Sequence, residues 1–301
     1  MNLSIIIVNF NTRELLRKCL HSVIGDLRLA VREKGKVFDT PPITNRQPPI
    51  TEIIVVDNGS EDDSIKMINK FRKLTNSNSK SANSLTFKLI ENKENLGFAK
   101  AVNQALRQAC TERSRSTQGK VILLLNSDTK VKQGALEKLL EFEKKVRPAI
   151  IGLKMLNPNG SDQGSVFNLP TAKRAIEEFW LGRKGSFSKF TPDSETPMLV
   201  EAVSGGAMAI SREVVDKIGL LDERYFMYFE DLDYCRRAKA KGIKVWYLPE
   251  AEVFHEHGAS GIADLDNQQR RLISSSKIYH GIIVHYLINI IIRVGCIFKN
   301  R

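Results

Sequence analysis

The sequence predicts an α/β protein in which a mostly parallel central sheet carries helices on both faces. Two observations lead there. Three times along the 301-residue chain a short β-rich run ends in polar turn residues and is followed by apolar positions at helical spacing, and repeated strand, turn and helix units imply a parallel sheet covered by helices. The composition, 42% hydrophobic and 27% charged, belongs to a globular chain with a substantial core.

The first unit is LSIIIVNFN, a strand ending at Asn9, with Leu15, Leu16, Cys19, Leu20, Val23 and Ile24 at helical spacing behind it. The second, TEIIVVDNGSEDDSIKMINKF, gives a buried strand to Val56, a turn over Asp57 to Gly59, Ser60 as helix cap and acids in the first helical turn. KVILLLNSDTKVKQGALEKLLEF repeats the scheme. RPAIIGLKML then reads as a strand, and residues 157 to 198 are rich in Gly, Pro, Ser and Lys around a helical piece at AIEEFWLG, the character of a lid or substrate loop. VEAVSGGAMAISREVVDKIG gives two short strands around Gly205 and Gly206 and a short helix. YFMYFEDLDYCRRAKAKG gives a helix through Leu232, Cys235 and Ala238, and GIKVWYLPEAEVFHEHG a strand ending with His255 and His257. Near 30–50, 75–84 and 111–119 the pattern yields to proline-rich, low-complexity and basic stretches, read as surface insertions. One domain is expected over 1–265, followed by an apolar and basic helical segment over 266–301.

An excess of 46 basic over 34 acidic residues gives a net charge of +12. That suits nucleic acid, an anionic membrane surface or phosphorylated substrates without choosing among them. The aromatic and basic interleaving of a nucleic-acid surface is missing, so no nucleic-acid partner is expected. Cys19, Cys110, Cys235 and Cys296 are widely spaced, which indicates neither a zinc site nor a disulfide framework and fits a reducing compartment. Met1 leads straight into a short apolar run without a basic region, so a cytoplasmic location is expected.

In parallel sheets ligands sit beyond the carboxyl ends of the strands. The residues to read for chemistry are therefore Asn9 to Asn11, Asp57 to Ser60 (Asn58 among them) and Asn126 to Asp128. A further acidic group, Glu230, Asp231 and Asp233, follows the aromatics Tyr225, Phe226, Tyr228 and Phe229. Asp231 can serve the first turn of a helix, and Asp233 can pair with Arg237 in solvent. Glu230 and the aromatics are left over, and apolar walls that shift carboxylate pKa values suit proton abstraction.

SIIIVNFN, EIIVVDNGSEDDS, ENLGFAKAVNQAL, LLLNSDTKVKQGAL, the long run from VSGG to KAKG and FHEHGAS, in this order from about Leu3 to about Ser260, resemble the inverting glycosyltransferases of family 2, and most of all their rhamnosyltransferase-like members. The resemblance implies a GT-A nucleotide-diphospho-sugar transferase fold and a nucleotide-sugar donor, with dTDP-rhamnose the first candidate. By it, Asp57 accepts a hydrogen bond from the donor base; an Asx turn in Asp-Asn-Gly is the local alternative. Asn126, Ser127 and Asp128 occupy the place of the family's DXD motif, Asn126 replacing the first acid. Asp128 would bind Mg2+ or Mn2+, with a helix-entry turn as the alternative. His255 stands where related enzymes place a metal or diphosphate ligand, although a loop histidine can be incidental. Asp231 is the candidate general base and Glu230 orients the acceptor or Asp231. Lys100 and Asn103 lie near the implied nucleotide pocket, Lys100 equally readable as a solvated helix residue. A sugar-phosphate nucleotidyltransferase would share the layered sheet but needs a glycine-rich basic loop near the N-terminus, which VNFNTRELL does not provide. A non-catalytic binding protein is supported by net charge alone.

The segment KIYHGIIVHYLINIIIRVGCIFKNR could just span a bilayer at about 1.5 Å per residue, but Arg293 would cost about 2.5–3.5 kcal/mol at its centre. An interfacial helix on anionic lipid, serving a glycan or polyprenyl-linked acceptor at the inner face of the cell membrane, is the expectation; a core or dimer helix is the alternative.

Overall fold

The computed structural model describes residues 2–27, 32–33, 36–37, 50–77, 85–111, 120–256 and 265–299. The chain begins β1 (Asn2–Asn9), α1 (Arg13–Asp26), a small hairpin of β2 (Arg32–Glu33) and β3 (Lys36–Val37), β4 (Ile50–Asp57), α2 (Ser64–Ser77), β5 (Leu85–Glu91) and α3 (Phe98–Thr111). It continues through β6 (Lys120–Asn126), β7 (Thr129–Val131), α4 (Ala135–Val146), β8 (Ala149–Leu156), β9 (Asp162–Gln163), β10 (Val166–Phe167) and α5 (Ala172–Phe179). The last elements are β11 (Met198–Val200), β12 (Ala202–Val203), β13 (Ala207–Ser211), α6 (Arg212–Ile218), α7 (Glu230–Ala240), β14 (Lys244–His255), α8 (Leu265–His280) and α9 (Ile282–Lys299).

The main sheet runs β11-β14-β8-β13-β6-β1-β4-β5, with β7 on β14 and β9 on β8. β1 pairs in parallel with β4 and β6, β4 with β5, and β8 with β14. β13 is inserted antiparallel between β6 and β8. After β5 the chain crosses to the other side of β1, so the strand order reverses there and a crevice opens beyond the carboxyl ends of β1 and β6.

Period-two alternation explains why these strands read as continuous apolar runs. Leu3, Ile5, Ile7, Ile53, Val55, Val121 and Leu123 pack with residues of α1, α2 and α4, whereas Ile6, Ile54, Val56, Ile122 and Leu124 pack with residues of α3, α6 and α7. All twelve are at most 1% exposed, so truncating one, as in Ile5→Ala, costs about 2–5 kcal/mol.

Several local expectations change. α2 starts at Ser64 rather than behind Ser60, because Ser60 is held by Asn9 and the Asn11 amide while Asp62 accepts from Ser64. Asp128 lies in the turn between β6 and β7, not at a helix entry; α4 begins at Ala135. Asp233 makes the expected pair with Arg237 and a second with Arg236, both at 2.7 Å; its carboxylate is buried at 4% exposure, while the two guanidinium groups still reach solvent. Most of the three expected insertions, and His257, lie outside the described residues.

The segment after residue 265 packs onto the domain. In α8, Ser275 Oγ donates to Met227 O at 2.8 Å, and Arg236 lies 4.1 Å from the centre of the Tyr279 ring. α9 crosses α5, where Trp180 Nε1 donates to Ile291 O at 2.9 Å and Gly295 leaves room for Phe179. Gly281, at φ 79°, separates α8 from α9, and the two helices bend by 119°. Among the described residues no single helix is long and apolar enough to cross a membrane; the bent pair passes together by length and composition only. The outer face of α9 leaves Ile283 84%, Ile290 59% and Ile297 60% exposed, with Trp180 and Leu181 beside its end.

Candidate active site

A cleft of about 440 Å³ lies at the carboxyl end of the sheet, lined among others by Phe10, Asn58, Asn126, Asp128, Gly205, Glu230, Asp231 and His255. One wall is a network of satisfied polar groups. Asn9 donates to Asp57 Oδ1 at 2.8 Å and accepts from Thr12 Oγ1 at 2.7 Å, and Thr12 in turn meets Ser127 Oγ at 2.7 Å. Asp57 Oδ2 accepts from the Ser60 amide, three residues on, at 2.9 Å, which closes the Asp-Asn-Gly turn. Asn58 bridges this wall to the next loop, donating to Asn95 and accepting from Asn92 and the Leu96 amide.

Residues 128 and 255 meet because β7 pairs antiparallel with β14, placing His255 opposite Thr129. His255 Nε2 stands 3.2 Å from Asp128 Oδ1 and 3.3 Å from Asn126 Nδ2, and its Nδ1 is 2.7 Å from Gln163 Oε1. A carboxamide oxygen can only accept, so Nδ1 carries a proton and a neutral ring turns its Nε2 lone pair toward Asp128. A lone pair and a carboxylate facing each other form a donor set that a divalent cation fits. Among the described residues no group of three or more His, Cys, Asp or Glu surrounds a common point. Asp128 and His255 therefore suit an ion that takes its other oxygens from a substrate diphosphate and water, as Mg2+ commonly does.

Across the cleft, Tyr228 and Phe229 have φ of 71° and 68°. Two successive left-handed residues with side chains cost about 1–3 kcal/mol each, and they turn Glu230 and Asp231 to the cleft at the start of α7. The loop before them lies against Gly97, where a Cβ would sit 2.5 Å from Phe226 O; the adjacent Phe98 amide donates to that oxygen at 2.6 Å. Asp231 accepts from the Gly205 amide at 2.9 Å and from its neighbour Leu232 at 2.8 Å. Glu230 is 6% exposed, and among the described residues its Oε2 has no hydrogen-bond partner. Burial, reinforced by the Asp231 charge, pushes Glu230 well above the ordinary carboxylate range. Burial also raises Asp231, but the Gly205 and Leu232 amides pull it back. The two neighbouring carboxyls thus sit in different environments, Glu230 pushed further toward its neutral form than Asp231, whose carboxylate is answered by two amides.

Asn58, Asn126, Ser127, Asp128, Glu230, Asp231 and His255 thus share one cleft. Asn9, Asp57 and Asn103 do not line it. Asn9 and Asp57 are fully buried behind the wall, and Asn103 exchanges two hydrogen bonds with the Leu221 backbone and donates to Glu223 at 2.9 Å, which uses both of its N–H donors. Lys100 sits on the exposed side of α3, away from the lining. The structure adds Gln163, which fixes the His255 ring, and Lys189 and Arg271 on the cleft wall.

The model described as Glycosyl transferase family 2 matches residues 4–219 of this chain. The chain is 23% identical to the low-salt glycan biosynthesis hexosyltransferase Agl10 of Haloferax volcanii, over 87% of this chain and 75% of that one. It is 28% identical to an N-acetylglucosaminyl-diphospho-decaprenol L-rhamnosyltransferase of Mycobacterium tuberculosis, over 58% of this chain and 60% of that protein. Among solved structures, GalNAc-T7 with UDP, GalNAc and Mn2+ superposes with a TM-score of 0.61 at 18% identity, over 85% of this chain and 43% of that one. That likeness is one of fold. Matched by the family model over most of its length, the chain belongs to glycosyl transferase family 2, the nucleotide-sugar-dependent glycosyltransferases built on the GT-A fold.

Proposed function

We propose that the protein is an inverting rhamnosyltransferase that moves the sugar of dTDP-rhamnose onto a hydroxyl of a lipid-linked glycan at the inner face of the cell membrane. One observation carries the reading: a diphosphate-ready pair, Asp128 and His255, and a split acid pair, Glu230 and Asp231, face the same cleft. The nucleoside lies against Phe10 and Asn58, with Asp57 and Asn9 bracing that wall from behind. Asp231 removes the proton of the acceptor hydroxyl as its oxygen attacks the anomeric carbon from the side opposite the departing nucleoside diphosphate, inverting the centre. Neutral Glu230 is free to donate a hydrogen bond to the acceptor, and Tyr228 and Phe229 give apolar walls for the C–H faces of a sugar. A divalent ion held by Asp128 and His255 would neutralise the leaving diphosphate.

Rhamnose as the sugar and a diphospho-lipid as the acceptor rest on the names of relatives, one of which is a dTDP-rhamnosyl transferase of Shigella flexneri. The apolar face of α9 and the net charge of +12 support docking on anionic lipid. The test is release of free nucleoside diphosphate from a panel of nucleotide sugars, with and without Mn2+. dTDP-rhamnose should be preferred and the product should have inverted anomeric configuration by NMR; preference for another donor would reassign the sugar, and retention would remove the mechanism.

A further inference from the structure

Most cations around the acid pair are already neutralised. Arg236 and Arg237 pair with Asp233, and Arg174 and Lys239 pair with Glu201. Lys189 and Arg271 line the cleft, yet among the described residues neither forms an ion pair with a carboxylate. Lys189 follows the irregular stretch after α5 and acts on Asp231 through its charge. Arg271 comes from α8 and is steadied by the Phe226 ring, whose centre lies 4.6 Å from the guanidinium carbon. Lys189 and Arg271 line this end of the cleft with the carboxyls of Glu230 and Asp231; burial pushes Glu230 toward its neutral form and also lowers Lys189, which the Asp231 charge holds up, so an arriving anion meets more positive than negative charge. The donor diphosphate is already provided for at Asp128 and His255. The cations stand instead on the Glu230 side of the cleft, Lys189 acting on Asp231 and Arg271 on Tyr228, the side where the acceptor must lie. The residue after Arg271, Leu272, also lines the cleft and is 46% exposed, and Ile273 beside it is 38% exposed, so apolar surface of α8 begins at the cleft mouth.

Resting on the transferase reading, we propose that Lys189 and Arg271 form an acceptor-side anion site that holds the diphosphate of a lipid-linked sugar, with the lipid leaving over Leu272 toward the exposed face of α9. Guanidinium and ammonium groups bind phosphate oxygens by charge-assisted hydrogen bonds, and Arg does so in a fork. The site would select the acceptor by its anionic linker and bring the first sugar hydroxyls to Asp231.

The experiment compares two acceptors carrying the same sugar, one on a prenyl diphosphate and one on an uncharged alkyl chain. The readout is the ratio of their kcat/KM values, which cancels the active fraction of each preparation. Lys189→Ala and Arg271→Ala should each lower that ratio by about 10- to 100-fold, the loss expected for a hydrogen bond to a charged group, and Arg271→Lys should recover part of it. A short-chain prenyl diphosphate without sugar should inhibit competitively with acceptor, and its affinity by calorimetry should weaken in both alanine variants. An unchanged ratio, a wild-type protein indifferent to the diphosphate, or inhibition competitive with the nucleotide sugar would each overturn the assignment. A protein that binds the prenyl diphosphate through these residues but turns over no nucleotide sugar would instead sink the transferase reading and leave the anion site standing.

Discussion

The two ends of the cleft are built on opposite principles. At the Asp128 end almost every polar atom is answered within the protein: Asn9, Thr12, Ser127, Asp57 and Asn58 form a continuous chain of hydrogen bonds, and Gln163 locks His255. At the Glu230 end the backbone is left-handed over two residues, and among the described residues a carboxyl oxygen has no hydrogen-bond partner and two cations form no ion pair with a carboxylate. A wall of answered groups keeps its shape and suits a ligand whose nucleotide and diphosphate never vary. Unanswered groups suit a partner that arrives with its own charges and hydroxyls.

The comparison can be broken most severely at its reactive edge. Asp231→Asn should lower turnover by about 10²–10⁴ with little change in donor affinity, because the amide keeps the shape but cannot take a proton. Near-normal turnover in a folded variant would show that the acid pair is not the chemical end. At the other end, the expected loss is in binding. Gln163→Leu frees the His255 ring and should weaken Mn2+ binding, measured with nucleoside diphosphate present, by about 10- to 100-fold, the usual weight of an outer-shell partner. Equal Mn2+ affinity in variant and wild type would detach Gln163 from the metal.

A smaller effect separates the ends by pH. Folding holds a proton on Glu230 that the unfolded chain releases near the ordinary glutamate value, so stability should fall as pH rises from that value toward the raised one. Glu230→Gln, always neutral, should flatten the fall in melting temperature across that window. Parallel curves for variant and wild type would mean that Glu230 ionises normally. The smallest effect concerns the outer surface. Deleting α9 would uncover α5, so Ile283→Asp with Ile290→Asp is the cleaner change. It should reduce binding to anionic vesicles, and wild-type binding should weaken with salt by roughly the 1 kcal/mol that each nearby basic residue contributes. Vesicle binding indifferent to both would remove the membrane from the reading.

Much of the Asp128 end was legible in its placement, because its residues stand at strand ends: Asn126 to Asp128 where β6 ends, and His255 at the end of β14. The inward turn of Asn103 was not legible, since its partner Leu221 is 118 residues away. Asn9 and Asp57 were placed at the correct strand ends, but hydrogen bonds across β1 and β4 decide that they face the wall. Gln163 lies in the irregular stretch that sequence could describe only as loop, and the reversed direction of β13 leaves no trace in an apolar run. Arg271 was hidden by a boundary drawn at residue 265, where apolar composition hid the packing of α8 against the domain.

Gly281 has a consequence best expressed as length. α8 is a 16-residue rod, about 24 Å long, with Arg271 and Leu272 in the cleft and a glycine at its far end that turns the chain by 119° into α9. A rod ending in a fixed angle is a set square, and this one is clamped on both arms: α8 by Ser275 on Met227 and α9 by Trp180 on Ile291. One more turn in α8 would add about 5 Å between Leu272 and Gly281, which the contacts at both ends have no slack to absorb.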